Sequence, residues 1–297
     1  METPAGASTM NSLAEALRVQ GGYDEAETYY RRALDVRRRV LGEEHRDIAD
    51  NLNNLSLLLQ AKGDLEGAER MQRDALAMRR DLFGERHPDV SNSLNNLGFV
   101  LRATGEYERA ESLLVYGLSL RNEVLGEDEP RTVNTLKNLG ILYSDMGSYP
   151  AAERTLREAI MRFRRRFSDE HPQVTSTTRH LARVLQMQER YAESRDLYEG
   201  VLEIGRRKLG GRHPETAGAM SDLAGVLRLL HDYEEAERLE REALEIRREV
   251  FGSHDSVVAT SLSQLAALLA EQGRHDEAEP LLREAVRIRS TSPGSDH

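Results

Sequence analysis

One passage of this chain is written several times over. Residues 95–111 read NNLGFVLRATGEYERAE, 53–69 read NNLSLLLQAKGDLEGAE, 137–153 read KNLGILYSDMGSYPAAE, and 221–237 read SDLAGVLRLLHDYEEAE. An aromatic or apolar column runs through Tyr23, Leu65, Tyr107, Tyr149, Tyr191 and Tyr233 and ends at His275, each step being 42 residues with no insertion. Three residues later stands a small-residue column: Ala26, Ala68, Ala110, Ala152, Ser194, Ala236 and Ala278. Leu41-Gly42, Phe83-Gly84, Leu125-Gly126, Phe167-Ser168, Leu209-Gly210 and Phe251-Gly252 mark a recurring break. A unit this short cannot bury its own apolar face, so seven such units must stack on one another.

Within a unit the apolar spacing is helical. Leu94, Leu97 and Leu101 stand at i, i+3 and i+7, as do Leu52, Leu55, Leu59 and Leu262, Leu265, Leu269. Gly63, Gly105, Gly147 and Gly273 end these first helices, where a left-handed backbone is cheap for glycine. A second helix follows, with Ala110, Leu113, Leu114, Gly117 and Leu118 on its inward face. Pro88, Pro130, Pro172 and Pro214 suit the opening of the next first helix, where a missing N–H costs nothing. The spacing predicts first helices at 8–20, 48–62, 90–104, 132–146, 174–188, 216–230 and 258–272, and a last second helix at 275–289. The predicted organisation is a flexible N-terminus at 1–7, a single all-α domain of seven repeats at 8–289, and a flexible tail at 290–297. Glu27–Arg31, Glu69–Arg73, Glu153–Arg157, Glu237–Arg241 and Glu279–Arg283 stand four apart in the favourable order, each worth about 0.2–0.5 kcal/mol.

Composition narrows the function classes. With 39% apolar and 31% charged residues, no run approaches the ~20 apolar residues of a membrane span. METPAGASTM lacks a basic stretch followed by an apolar one, so no secretory signal is expected. Cysteine is absent, which removes disulfides, thiolate catalysis and Cys-ligated metals and fits a cytoplasmic protein. A net charge of −10 argues against nucleic acid as a partner. MRFRRRF at 161–167 matches short basic runs at equivalent places, 37–39 and 206–208, and reads as the C-terminal end of a second helix meeting its dipole. His45, His87, His171 and His213 recur once per unit, too far apart to converge on a metal, and suit capping or packing at the turn. No metal site and no cofactor is expected.

These columns resemble the tetratricopeptide repeat, in the long 42-residue form of kinesin light chains and their bacterial relatives. LNNLGFVLRATGEYERAESLL at 94–114, closed by LGEDEP or FGERHP, carries the likeness, which runs from about residue 8 to 289. The resemblance implies a right-handed superhelical solenoid of antiparallel helix hairpins whose first helices line a concave groove. It also implies a non-catalytic scaffold or adaptor that grips a protein or peptide. Carried onto this chain, the groove positions are Asn53, Asn54, Leu57, Asn95, Asn96, Phe99, Arg102, Lys137, Asn138, Ile141, Arg179, His180 and Arg183. An Asn amide both donates and accepts, so this column can pair with peptide backbone, or else bond across neighbouring first helices. Lys137, Arg179 and Arg183, with Arg102, form a basic patch suited to an acidic residue or free carboxylate on the partner.

Two other readings stand beside this one. The chain could self-assemble as a homo-oligomer through its stack ends, where Leu281, Leu282 or Val286 of the last helix lacks a covering helix. Alternatively a small molecule could sit, or react, around His180, Arg183 and Asp222. Repeat five departs from its neighbours at Thr178, His180, Glu189 and Ser194, which marks either a specialised unit or drift.

Overall fold

The computed structural model describes residues 3–291. Its first helices are α1 (Pro4–Val19), α3 (Arg46–Ala61), α5 (Pro88–Ala103), α7 (Pro130–Asp145), α9 (Pro172–Met187), α11 (Pro214–Leu229) and α13 (Ser256–Glu271). Its second helices are α2 (Tyr23–Leu41), α4 (Leu65–Phe83), α6 (Tyr107–Leu125), α8 (Tyr149–Arg164), α10 (Tyr191–Lys208), α12 (Tyr233–Phe251) and α14 (His275–Thr291). Every helix packs on its sequence neighbour within a hairpin, and no strand occurs among the described residues. The chain divides into two compact units, Met1–Arg165 with α1–α8 and Arg166–His297 with α9–α14.

The later first helices start two residues before the position that apolar spacing predicts, because their start is set by a capping residue. His45, His87, His171 and His213 each turn Nδ1 onto the backbone N–H two residues ahead, at 3.1–3.2 Å. Asp255 fills the same place by accepting from the Val257 N–H at 2.8 Å, and Thr3 caps α1 by accepting from Gly6 at 3.1 Å. The recurring histidines are therefore N-caps, each satisfying one of the orphan donors of a helix start. Phe83 and Phe167, the last apolar residues before the break, stack on His87 and His171 with centroids at 4.4 and 3.8 Å.

At the other end of the first helices, the chain needs one left-handed residue to turn into the second helix. Gly63, Gly105, Gly147 and Gly273 supply it, with φ between 72° and 81°. In repeats five and six Glu189 and His231 adopt the same conformation, at φ 61° and 62°, and bear its steric cost.

Close helix contact explains the small columns. A Cβ on Gly98 would come within 2.9 Å of Leu114, and one on Gly140 within 2.8 Å of Leu156. Ala26, Ala68, Ala110, Ala152 and Ala236 are wholly buried. Ser194 stands in this column without an unmet polar group, because its hydroxyl donates to the Ala182 carbonyl at 2.8 Å. Ser56, in the facing column of another hairpin, makes the mirror-image bond to the Ala68 carbonyl at 2.9 Å. The five anticipated Glu–Arg pairs on the second helices all form, at 2.6–2.9 Å.

Candidate functional site

Ten of the candidate groove residues lie on three neighbouring first helices of the first unit. Asn53, Asn54 and Leu57 come from α3, Asn95, Asn96, Phe99 and Arg102 from α5, and Lys137, Asn138 and Ile141 from α7. Leu57 and Phe99 are 40% and 43% exposed, while Ile141 is half-buried. Beside this apolar row the asparagines bond from helix to helix. Asn96 donates to Asn53 at 2.6 Å, and Asn138 donates to Asn95 at 3.1 Å. Gln72 of α4 reaches the same Asn53 oxygen from beneath at 3.1 Å. All five asparagines remain half-buried rather than sealed. Each carries two donors and an acceptor with two lone pairs, so the rungs leave hydrogen-bonding capacity facing solvent.

The basic candidates differ in how far their charge is already answered. Arg102 lies 5.0 Å over the Phe99 ring and pairs with Asp145 at 3.2 Å. Lys137 is half-buried, and loss of hydration pulls its ammonium below the usual lysine range. In the second unit Arg179, His180 and Arg183 stand on α9, and Arg179 Nε donates to Asp222 of α11 at 2.6 Å. Arg183 is exposed and makes no ion pair among the described residues. Burial raises the Asp222 carboxyl above the ordinary aspartate value even with Arg179 beside it. His180 is half-buried.

A second column of arginines escaped sequence reading. Arg37, Arg79 and Arg121 repeat every 42 residues on second helices, and Arg247 rejoins the series after Phe163 and Gly205. Arg37, Arg79 and Arg121 are nearly enclosed, at 5–7% exposure. Arg37 donates to the Asp47 carbonyl of α3 at 3.0 Å, whereas Arg79 and Arg121 each pass between two first helices and tie them together. Arg79 donates to Asp50 of α3 at 2.7 Å and to Ser93 of α5 at 2.6 Å. Arg121 donates to Asn92 of α5 at 2.7 Å, to the Arg131 carbonyl of α7 at 2.7 Å, and to Thr135. Arg247 joins Ser221 of α11, at 3.0 Å, to Ser261 of α13. Recurrence at the repeat period was the available signal. Arginine is so rarely buried that type alone pointed to the surface.

Close to Arg247 lies Glu240 of α12, 2% exposed, with one carboxyl oxygen lacking a partner. Burial, with help from the Asp222 charge, raises its pKa. The short basic runs are paired rather than presented: Arg162 holds Glu158 at 2.6 Å, Arg165 holds Asp128 at 3.0 Å, and Lys208 holds Glu170 at 2.5 Å. On α14 Leu282 and Val286 are exposed, whereas Leu281 packs into the α13–α14 core, contrary to its expected exposure.

Tetratricopeptide repeat models match residues 7–81, 47–115, 89–165 and 173–249, with further models of the same description matching 137–208 and 258–297. The chain belongs to the tetratricopeptide repeat family. Its repeats are of the kinesin-light-chain-like type. Among solved structures it is similar to a kinesin-light-chain-type protein of nearly identical TPR-like repeats from Podosopora anserina, with TM-score 0.60 and 22% identity over 70% of this chain and 98% of that one. The apo quorum sensor NprR from B. thuringiensis superposes with TM-score 0.73 and 16% identity, over 96% of this chain and 77% of that one. A Rap protein complexed with competence and sporulation factor gives TM-score 0.65 and 14% identity, over 96% and 75%. At these identities the likeness concerns the fold of the TPR array. No curated protein matches the chain by sequence. No described helix is long and apolar enough to cross a membrane.

Proposed function

We propose that this TPR protein is a non-catalytic, cytoplasmic scaffold or adaptor that captures an extended or partly helical segment of a partner protein on its first-helix face. The observation that carries this reading is the pairing of Leu57 and Phe99, both exposed, with an adjoining ladder of asparagine amides on α3, α5 and α7. Exposed apolar side chains at helical spacing take up partner side chains, and amides with spare donors and acceptors take up backbone without demanding one sequence. The similar fold of a Rap protein complexed with competence and sporulation factor supports the same use of the array. In the second unit Arg183 is exposed and outside any direct ion pair among the described residues, though near the Asp222 charge, and its guanidinium suits an acidic side chain or terminal carboxylate. Arg179 contributes only if a ligand carboxylate displaces or shares Asp222.

The test uses peptides selected from a displayed random library against the whole chain. A photoreactive benzoylphenylalanine at position 99 should capture the selected peptide, whereas the same group at Val115, exposed on second helix α6, should not. Equal capture at both positions, or capture at 115 alone, removes the reading.

A second reading, self-assembly, is favoured by one feature: Leu282 and Val286 of α14 are 45% and 65% exposed on one helix face. Light scattering across a concentration series separates the two, since a monomer at every concentration excludes assembly.

A further inference from the structure

Between successive second helices the fold leaves clefts floored by the first helix that separates them. One, of about 460 Å³, lies among α4, α5 and α6. Another, of about 610 Å³, lies among α10, α11 and α12. The two are the same place in the repeat, three repeats apart. Leu76, Leu97 and Leu101 on the floor of the first become Leu202, Leu223 and Leu227 in the second. The rims invert. Arg73, Ala77 and Arg109 are replaced by Glu199, Glu203 and Glu235.

Arg195 and Arg206 line the same cleft, and Arg206 lies near Glu235, so the acidic rim is neutralised only in part. Glu235 is held by Arg238 at 2.6 Å, and Glu199 lies 3.5 Å from Arg195. Glu203, and Asp232 at the end of the cleft, are exposed and make no ion pair among the described residues. The floor, meanwhile, is apolar but tightly packed, with Leu202, Leu223 and Leu227 only 4–5% exposed. It can lie against a narrow hydrocarbon chain.

We propose that the α10–α12 cleft is a docking site for an arginine or lysine side chain carried by a basic segment of a partner protein. The aliphatic stem of such a residue covers the leucine floor, while its charged head reaches Glu203 or Asp232. Charge-assisted bonds to Glu203, and to the Asp232 oxygen left over from capping α12, supply the attraction. The α4–α6 cleft, with equivalent leucines but no carboxylate in its lining, serves as a control inside the same molecule. This site lies on the second-helix side and does not depend on the peptide capture proposed for the first-helix face.

The test is a binding titration with a six-residue, acetylated and amidated peptide of alternating arginine and leucine, at physiological ionic strength. The cleft variant is Glu203→Gln with Asp232→Asn; Asn preserves the N-cap of α12, so the fold is kept. The control, Glu25→Gln with Glu66→Gln, removes two exposed charges elsewhere. The cleft variant should weaken binding about tenfold and the control less than about twofold, since only buried or convergent charges carry specific affinity. Equal weakening by both variants would mean general attraction to an acidic protein and would overturn the proposal. No binding to the unaltered chain, or equal binding of an alternating glutamate–leucine peptide, would overturn it too.

Discussion

Arg179 of α9 and Asp222 of α11 form a rung that the first unit builds from amides. They stand 43 residues apart, as do Asn53 and Asn96, and Asn95 and Asn138. The spacing is one repeat plus one residue, so each rung joins a first helix to the next across the same face. Arg102–Asp145 and Arg228–Glu271 use the same offset two helical turns further along. The face is thus internally tied, and what it offers a partner is the capacity left over from those ties.

The buried arginines lead to a reciprocal pair of substitutions. Arg79 has a carboxylate, Asp50, where Arg121 has the amide of Asn92. Burial, with Arg131 nearby, lowers Arg121 to about 10. Asn92→Asp should therefore stabilise the chain by about 1 kcal/mol, and Asp50→Asn should cost about 1–2 kcal/mol, in urea unfolding. Destabilisation by Asn92→Asp would show that Arg121 is already satisfied by its neutral partners.

Glu240 gives the pH dependence. Its folded-state pKa lies above the unfolded one, so its contribution to stability is complete below the ordinary glutamate value and is lost as pH rises from there through the raised folded value. Gln72 occupies the same place in its repeat and bonds Asn53 without carrying charge. Glu240→Gln should raise stability by roughly 1–2 kcal/mol at neutral pH, with the gain vanishing at acid pH. Melting curves at several pH values check this. A Glu240→Gln protein that melts lower at neutral pH would mean that an ionised Glu240 and Arg247 stabilise each other.

Repeat five contains a correctable strain. Glu189 adopts φ 61° where five other repeats place glycine at the same turn. Glu189→Gly should stabilise by about 0.5–1 kcal/mol, the left-handed penalty less the added freedom of the unfolded chain. Thermal unfolding of the two proteins decides it, and an unchanged or lower melting temperature would count against the turn as the source of strain.

The capping histidines separate cap from packing. His87→Ala should cost about 0.5–2 kcal/mol, and His87→Asp should recover much of it, because Asp255 caps α13 from the same position. Failure of the aspartate to rescue would assign the loss to the stack on Phe83 instead.

What could be read without coordinates follows from periodicity. The hairpins, the turn glycines, the capping histidines and the Glu–Arg pairs repeat every 42 residues and depend on contacts within a helix or one turn beyond it. The rungs were harder, because Arg179 meets Asp222 only once the register between neighbouring first helices is known. Arg79 and Arg121 looked like surface residues because their chemistry suits water, and only the packing reveals that they cross between helices. Asn53 and Asn95 stood open to two uses, peptide contact or helix-to-helix bonding. The second is occupied in the structure, and the N–H groups left over, with one lone pair on Asn95, leave room for the first.

The most direct measurement of the central claim is the affinity of a library-selected peptide for the unaltered chain and for Phe99→Ala, with thermal melting recorded alongside. Phe99 is 43% exposed, so its truncation should leave melting nearly unchanged while weakening the peptide by about tenfold or more. An unchanged affinity with an unchanged melt would contradict peptide capture on the first-helix face.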